Sequence, residues 1–187
     1  MKKILLLLLI TLSVNANNFV YMTEEAEHSD EYGYIVTLKT KGEFNVFKDS
    51  GHAWIKFQSF KEPSKNTSLG FYTLDGKISN ALYSKRGEIK KEYGGENDSL
   101  RINVTKREFD NALLVANYFK GTCSEKGRNG CTVWRTKNSY SLIPYNSFAC
   151  THYAHAILKA TGMPVPIMNY TAPKWYLYNI VRSLGIN

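Results

Sequence analysis

The stretch that decides the fold is residues 51–57, Gly51-His52-Ala53-Trp54-Ile55-Lys56-Phe57. Ala53, Ile55 and Phe57 fall on one side of an extended chain, whereas His52, Trp54 and Lys56 fall on the other. This alternation predicts a β-strand. The strand opens with a histidine directly after a glycine, which leaves room for another group to approach.

Outward from this strand, the sequence predicts strands first and helices later. Further strands are predicted at residues 34–38, 69–74 and 100–104, with a turn at Asp75-Gly76. Thr105-Lys106-Arg107-Glu108 is a capping box that opens a helix ending at Gly121. A second helix is expected from near Ser147 to Gly162, and residues 175–181 form a last helix or strand. This order predicts an α+β domain.

The amino terminus has the pattern of an export signal. Two lysines precede an apolar run from Ile4 to Ile10, and Val14-Asn15-Ala16 offers small or β-branched residues for cleavage. We expect residues 1–16 to be a cleaved signal peptide and residues 17–187 to form one periplasmic or secreted domain. An apolar run of about eleven residues is roughly half of a spanning helix, so stable membrane insertion is not expected.

Composition narrows the classes of partner. With 43% hydrophobic and 21% charged residues, the chain is neither a disordered nor a polytopic membrane protein. Without Lys2 and Lys3, the 24 basic residues become 22 against 16 acidic ones, a net charge of +6. Outside the cytoplasm this charge suits cell-wall polymers or membrane surfaces rather than nucleic acid, although a solvated basic surface would look the same. The sequence has no phosphate-binding glycine loop, Cys-x-x-Cys or His-Glu-x-x-His, so we expect no cofactor and no metal.

The three cysteines leave at least one thiol outside any intramolecular disulfide. Cys123 and Cys131 are eight positions apart and flank a polar, glycine-containing loop, which makes them the natural disulfide pair. Cys150 is then a free thiol in an oxidising compartment, where free thiols are usually avoided unless they are buried or used.

Cys150 has two interpretations. A free cysteine on the apolar face of a helix is commonly a small core side chain. With Ser147 as the N-cap, however, Cys150 falls in the first helical turn, where the helix dipole and backbone N–H groups favour a thiolate and can bind an oxyanion. A nucleophilic cysteine needs this environment, and a core cysteine does not.

A nucleophilic thiol also needs a base, for which the sequence offers four histidines. His152 and His155 lie roughly 200° and roughly 140° around the helix from Cys150, so both should point away from the thiol. His28 lies in an acidic segment near the mature terminus. His52 is left as the base, and its alternative interpretation is a strand histidine packed on aromatic side chains.

This arrangement resembles the permuted papain-like cysteine hydrolases, relatives of the NlpC-type cell-wall peptidases in which the His strand precedes the Cys helix. The matching stretches are the strand beginning at Gly51 and Tyr145-Asn146-Ser147-Phe148-Ala149-Cys150-Thr151-His152-Tyr153-Ala154, within roughly residues 50–162. The resemblance implies an antiparallel sheet packed against the Cys-bearing helix. It also implies that Cys150 is the nucleophile and His52 the base.

The family's third residue, which orients the imidazole, lies on the strand after the histidine. The candidates there are Ser68, Tyr72 and Thr73, none of them the usual His, Asn or Asp, and we choose Tyr72. The expected oxyanion and substrate-binding groups are the Cys150 N–H with Asn146, Ser147 and Trp54.

The resemblance implies hydrolysis of an amide through a thioester, with peptidoglycan stem peptides as substrate and an inhibitor or immunity protein as a partner. Other permuted members act on lipid acyl groups, as thiol hydrolases or acyltransferases, and this alternative stays open. A rival of another class is a catalytically silent exported binding or inhibitor protein whose Cys150 belongs to the core.

Overall fold

The structure is a computed structural model of the chain. It describes residues 20–22, 33–42, 51–73, 83–84, 86–94, 98–136, 138, 140–141, 149–166 and 173–185. The predicted signal peptide, the predicted turn at Asp75-Gly76, and residues His28, Asn146 and Ser147 lie outside the described residues.

The described part of the chain contains ten strands, three α-helices and a short 3₁₀ helix at Pro63–Lys65. The strands are β1 Val20–Met22, β2 Tyr34–Lys41, β3 His52–Ser59, β4 Thr67–Thr73, β5 Tyr83–Ser84, β6 Gly87–Lys91, β7 Asp98–Val104, β8 Cys123–Gly127, β9 Gly130–Arg135 and β10 Tyr140–Ser141. The helices are α1 Lys106–Tyr118, α2 Cys150–Ala160 and α3 Pro173–Ser183.

Eight of the strands form one sheet in the order β1-β7-β2-β3-β4-β6-β9-β8. β1 runs parallel to β7, and every other pair of neighbouring strands in this sheet is antiparallel. β5 and β10 form a separate two-stranded pair. The chain is therefore α+β, with an antiparallel sheet as expected.

One face of the sheet forms the hydrophobic core. The alternating residues Ala53, Ile55 and Phe57 of β3 are fully buried, as the sequence predicts. The same cluster holds side chains of all three helices, among them Phe109 of α1 and Tyr153 of α2. Burial of a large apolar side chain stabilises a fold by about 1.5–3 kcal/mol. This packing holds the Cys-bearing helix α2 against β3 and β4.

The first helix starts where the capping box predicts. The Thr105 hydroxyl accepts a hydrogen bond from the Glu108 N–H at 3.3 Å, and the Glu108 carboxylate accepts one from the Thr105 N–H at 2.8 Å. The helix ends at Tyr118, before Gly121. Residues 175–181, for which the sequence allows a helix or a strand, belong to the helix α3. None of the described helices is both long and apolar enough to cross a membrane.

Two local predictions are wrong. The second helix begins at Cys150 with Ala149 as its N-cap, not near Ser147, because the Tyr153 N–H makes its helical hydrogen bond to the Ala149 carbonyl at 3.1 Å. The polar segment between Cys123 and Cys131 is not a loop but a hairpin of β8 and β9. Its strands lack apolar alternation, and the pairing of β9 with β6 makes them part of the sheet. The predicted disulfide is present, with the two Cα atoms 5.9 Å apart.

Candidate active site

His52 is the first residue of β3, and the preceding glycine makes this start possible. Gly51 has a φ of 63°, and a Cβ atom there would lie 2.4 Å from the Lys41 carbonyl oxygen. Both the backbone angle and the space require glycine. Since His52 pairs with Lys41 at the end of β2, the imidazole stands at one end of a rigid antiparallel pair.

Cys150 is the first residue of α2, where the positive end of the helix dipole favours an anion. The N-cap residue Ala149 has no side-chain oxygen, so its side chain does not cap the N–H groups of the first turn. Such N–H groups are the donors that an oxyanion requires. His152 instead accepts the N–H of Ala149 itself on Nδ1, at 3.2 Å.

The side chains of His52 and Cys150 meet where β3 and α2 begin. Burial of the imidazole acts to lower the pKa of His52, but its interactions with Cys150 and with the nearby Glu92 carboxylate outweigh this effect and raise the pKa from 6.5 to about 9. The imidazole is therefore protonated at neutral pH, as the partner of a thiolate would be. A cysteine that only fills the core needs no such partner.

Glu92 supplies the carboxylate of the site. It follows β6 directly, and its N–H donates to the Ser68 carbonyl at 2.9 Å, which fixes it beside β4. Its Oε1 lies 3.6 Å from Nε2 of His52, the distance of an ion pair rather than of a hydrogen bond. Because Nε2 faces Glu92, Nδ1 is the nitrogen left to exchange a proton with Cys150.

Tyr72, predicted as the residue that orients the imidazole, lies directly against His52. Their ring centroids are 4.1 Å apart and the planes are inclined by 28°. The Tyr72 hydroxyl donates a hydrogen bond to Oε1 of Glu92. Tyr72 thus contacts one face of the imidazole and holds the carboxylate that faces Nε2, while the charge comes from Glu92.

Trp54, predicted as a substrate-binding residue, is only 2% exposed. Its ring stacks with His52 at 5.6 Å between centroids and 14° between planes. In the structure, Trp54 packs against the imidazole instead of presenting its ring to solvent.

Gly70 makes the space in which the imidazole and the carboxylate meet. It lies on β4 opposite Trp54. A Cβ atom at Gly70 would lie 2.6 Å from Nε2 of His52 and 2.8 Å from Oε1 of Glu92. Any larger residue would displace one of these two groups.

Sequence reasoning missed both Glu92 and Gly70. Glu92 follows a strand whose sequence is mostly charged, Gly87-Glu88-Ile89-Lys90-Lys91, so no alternation indicated a strand there. A usable signal was Gly70 itself, because a glycine inside a strand often marks the close approach of another group.

The other two described histidines are neutral side chains of α2. Burial lowers the pKa of both side chains, with a smaller contribution from His155 in the case of His152 and from Lys159 in the case of His155. His152 makes a local hydrogen bond to the Ala149 N–H, and the His155 ring lies 6.1 Å from that of Tyr176. Within the described ranges, no group of three or more His, Cys, Asp or Glu side chains is placed to hold a metal ion.

Comparison of the chain with protein-family models, with curated proteins and with solved structures finds no match. Its function therefore has to be argued from the chemistry of this site.

Proposed function

We propose that the chain is an exported thiol hydrolase that cleaves peptide amide bonds, with Cys150 as the nucleophile and His52 as the base. One observation carries the proposal: Cys150, the first residue of a helix, interacts with the His52 imidazole, and Nε2 of that imidazole faces the Glu92 carboxylate. Cys150, His52 and Glu92 thus fill the roles of nucleophile, base and orienting group.

In this mechanism the Cys150 thiolate adds to the amide carbonyl carbon, and the carbonyl oxygen becomes an oxyanion near the first-turn N–H groups of α2. The C–N bond then breaks, and the leaving amine takes a proton from the His52 imidazolium. The neutral imidazole next removes a proton from water, and the resulting hydroxide attacks the thioester carbon. Release of the carboxylic acid returns the sulfur to Cys150 as a thiolate and leaves His52 protonated.

The Glu92 carboxylate stabilises the imidazolium at both ends of this cycle. Its position opposite Nε2 keeps Nδ1 directed to the thiol, and Tyr72 holds the carboxylate in place. In this mechanism Glu92 positions the imidazole, and Tyr72, the residue predicted for that role, contacts both groups.

We further propose that the fold is the permuted papain-like one and that the substrate is a peptidoglycan stem peptide. The His strand precedes the Cys helix in the chain, and the helix packs against an antiparallel sheet. A net charge of +6 after the expected signal cleavage suits an anionic cell-wall polymer.

A second candidate is favoured by one observation. Cys150 is 4% exposed and belongs to the hydrophobic cluster, as a core cysteine would. An exported binding or inhibitor protein without catalytic activity would have such a residue.

Thiol labelling separates the two candidates. In the folded, non-reduced protein at pH 6.5, iodoacetamide should alkylate Cys150, and His52→Ala should slow the reaction at least about tenfold because the thiolate loses its partner. His155→Ala is the matched control and should leave the rate unchanged. A thiol that reacts only after denaturation would establish the core interpretation and overturn the hydrolase.

Digestion of purified peptidoglycan identifies the substrate. Mass spectrometry should detect new amine and carboxyl ends with the wild type and none with Cys150→Ala. A parallel assay with acyl-ester lipid tests the lipid alternative, and release of fatty acid there without any peptide product would replace the peptide assignment.

A further inference from the structure

A lysine and a tryptophan form a platform beside α2 that the proposed mechanism does not use. Nζ of Lys120 lies over the Trp134 ring, 4.2 Å from its centroid, within the range of a cation–π contact. Gly121 brings this segment close to β9, since a Cβ atom there would lie 2.1 Å from the Arg135 carbonyl oxygen. Both Lys120 and Trp134 are half-buried, so their contact is partly shielded from solvent.

A second lysine belongs to the same platform. Ile89 of β6 pairs with Trp134 of β9, and Lys91 follows Ile89 by two positions, so it shares that face of the sheet and neighbours Trp134 diagonally. Burial, together with repulsion from Lys91, lowers the pKa of Lys120 to about 8. Two positive groups are thus held near one aromatic ring.

Neither of these lysines has a carboxylate partner among the described residues. The contrast is with Lys65 and Lys106, which form ion pairs with Glu62 and Asp110 at 2.5–3.3 Å. Two neighbouring ammonium groups that repel each other gain most from an anion bound between them.

The platform is connected to the candidate active site by ring contacts. Phe119, next to Lys120 in the chain, packs edge-on against Tyr153 at 5.5 Å between centroids. Tyr153 lies one helical turn after Cys150. The segment that carries Lys120 therefore packs, through Phe119, against the helix that carries the thiol.

We propose that Lys91, Lys120 and Trp134 form a subsite that binds a carboxylate of an anionic peptide substrate. The subsite rests on the proposed hydrolase function and narrows its substrate class to peptides with a free carboxylate. The Trp134 ring holds Lys120 in place, and the ligand's charge relieves the repulsion between Lys91 and Lys120.

Calorimetry on the Cys150→Ala protein tests this binding without turnover. The probes are a synthetic stem pentapeptide with free carboxylates and the same peptide with every carboxylate amidated. The free peptide should bind, and Lys91→Gln or Lys120→Gln should each weaken binding about tenfold, because each removes one charge contact. The amidated peptide should bind more weakly and respond to neither substitution.

Two control variants guard against a folding defect. Lys120→Arg keeps the charge and should keep at least part of the binding, whereas Lys126→Gln removes a charge from the exposed part of the hairpin and should change nothing. Acetic anhydride labelling gives an independent measurement: the free peptide should protect Lys120 and leave Lys126 reactive. Equal binding of the two peptides, no binding of either, or unchanged binding by Lys120→Gln would each overturn the subsite.

Thiol labelling and peptide binding together distinguish a failure of the subsite proposal from a failure of the proposed hydrolase function. Cys150 alkylation requires no peptide, so a reactive thiol with no carboxylate preference overturns only the subsite. An inert thiol with charge-dependent peptide binding overturns the hydrolase and identifies a peptide-binding protein.

Discussion

Oε1 of Glu92 lies 3.6 Å from Nε2 of His52. The same oxygen accepts the hydrogen bond of the Tyr72 hydroxyl. His52 is in β3, Tyr72 is in β4 and Glu92 follows β6, so three adjacent strands each place one group. The geometry of the imidazole therefore depends on the strand register as well as on the residues themselves.

Glu92→Gln tests whether this carboxylate controls the imidazole. Loss of the charge should move the pKa of His52 down from about 9, and Cys150 alkylation at neutral pH should slow by about 10²-fold. The pKa can be followed by NMR of the imidazole ring. Glu125→Gln, on the exposed hairpin, is the matched control. If the pKa of His52 is the same in Glu92→Gln as in the wild type, the carboxylate has no such role.

Tyr72→Phe should have a smaller effect than Glu92→Gln. The phenylalanine ring keeps the stacking on His52 and loses only the hydrogen bond to Glu92. We expect about a tenfold lower alkylation rate, because the carboxylate remains but is less well fixed. A defect as large as that of Glu92→Gln would instead make the Tyr72 hydroxyl the principal orienting group.

Gly70→Ala should disable the site by steric displacement. The added methyl group would lie 2.6 Å from Nε2 of His52, so the imidazole or the carboxylate must move. Alkylation of Cys150 should fall by at least about tenfold. Gly70 is not among the described glycines with positive φ, so backbone strain is not the cause. Ser68→Ala, on the same strand, should retain the wild-type rate, and a Gly70→Ala protein that also retains it would show that the pocket tolerates the methyl group.

Local sequence patterns predict that His52 opens a strand and that Cys150 lies in the first turn of a helix, and the structure has both. The alternation in residues 53–57 predicts β3 and so places His52 at one end of a strand. The pattern of the following helix places Cys150 near its start. The sequence predicts an earlier start of α2 than the structure has, because Ser147 is a better N-cap residue than Ala149 and local preference alone does not decide where a helix starts.

The rest of the site depends on contacts between distant segments. Glu92 is 40 positions from His52, and only the pairing of β4 with β6 brings it near. Ile89 of β6 is buried in the core, and Gly87 leaves room for the Phe71 ring, from which a Cβ atom at Gly87 would lie 2.2 Å away. Neither contact leaves a periodic pattern in the sequence, so the carboxylate could not be predicted.

The raised pKa of His52 also predicts how stability depends on pH. A group whose pKa is higher in the folded than in the unfolded protein stabilises the fold fully below its unfolded value, here about 6.5. This contribution should decline as the pH rises through about 9. Urea unfolding of the wild type and of His52→Gln should therefore differ most at pH 6 and least above pH 9.

His155→Gln should show the opposite dependence. Burial lowers the pKa of His155, so the contribution of its neutral ring is present above about pH 6.5 and is lost as the pH falls through the folded value. The same urea series measures it. Parallel curves for the two variants would contradict both assignments.

Removal of the disulfide should lower stability without changing the thiol chemistry. The bond joins Cys123 and Cys131 across a separation of eight residues, so the double variant Cys123→Ser/Cys131→Ser should lose about 2.5 kcal/mol of unfolding free energy, mainly because its unfolded chain is less constrained. Cys150 lies in another element and should be alkylated at the wild-type rate below the unfolding temperature. Peptide mapping without reductant checks the pairing directly, and a bridged peptide that contains Cys150 would contradict both the disulfide assignment and the proposed role of Cys150.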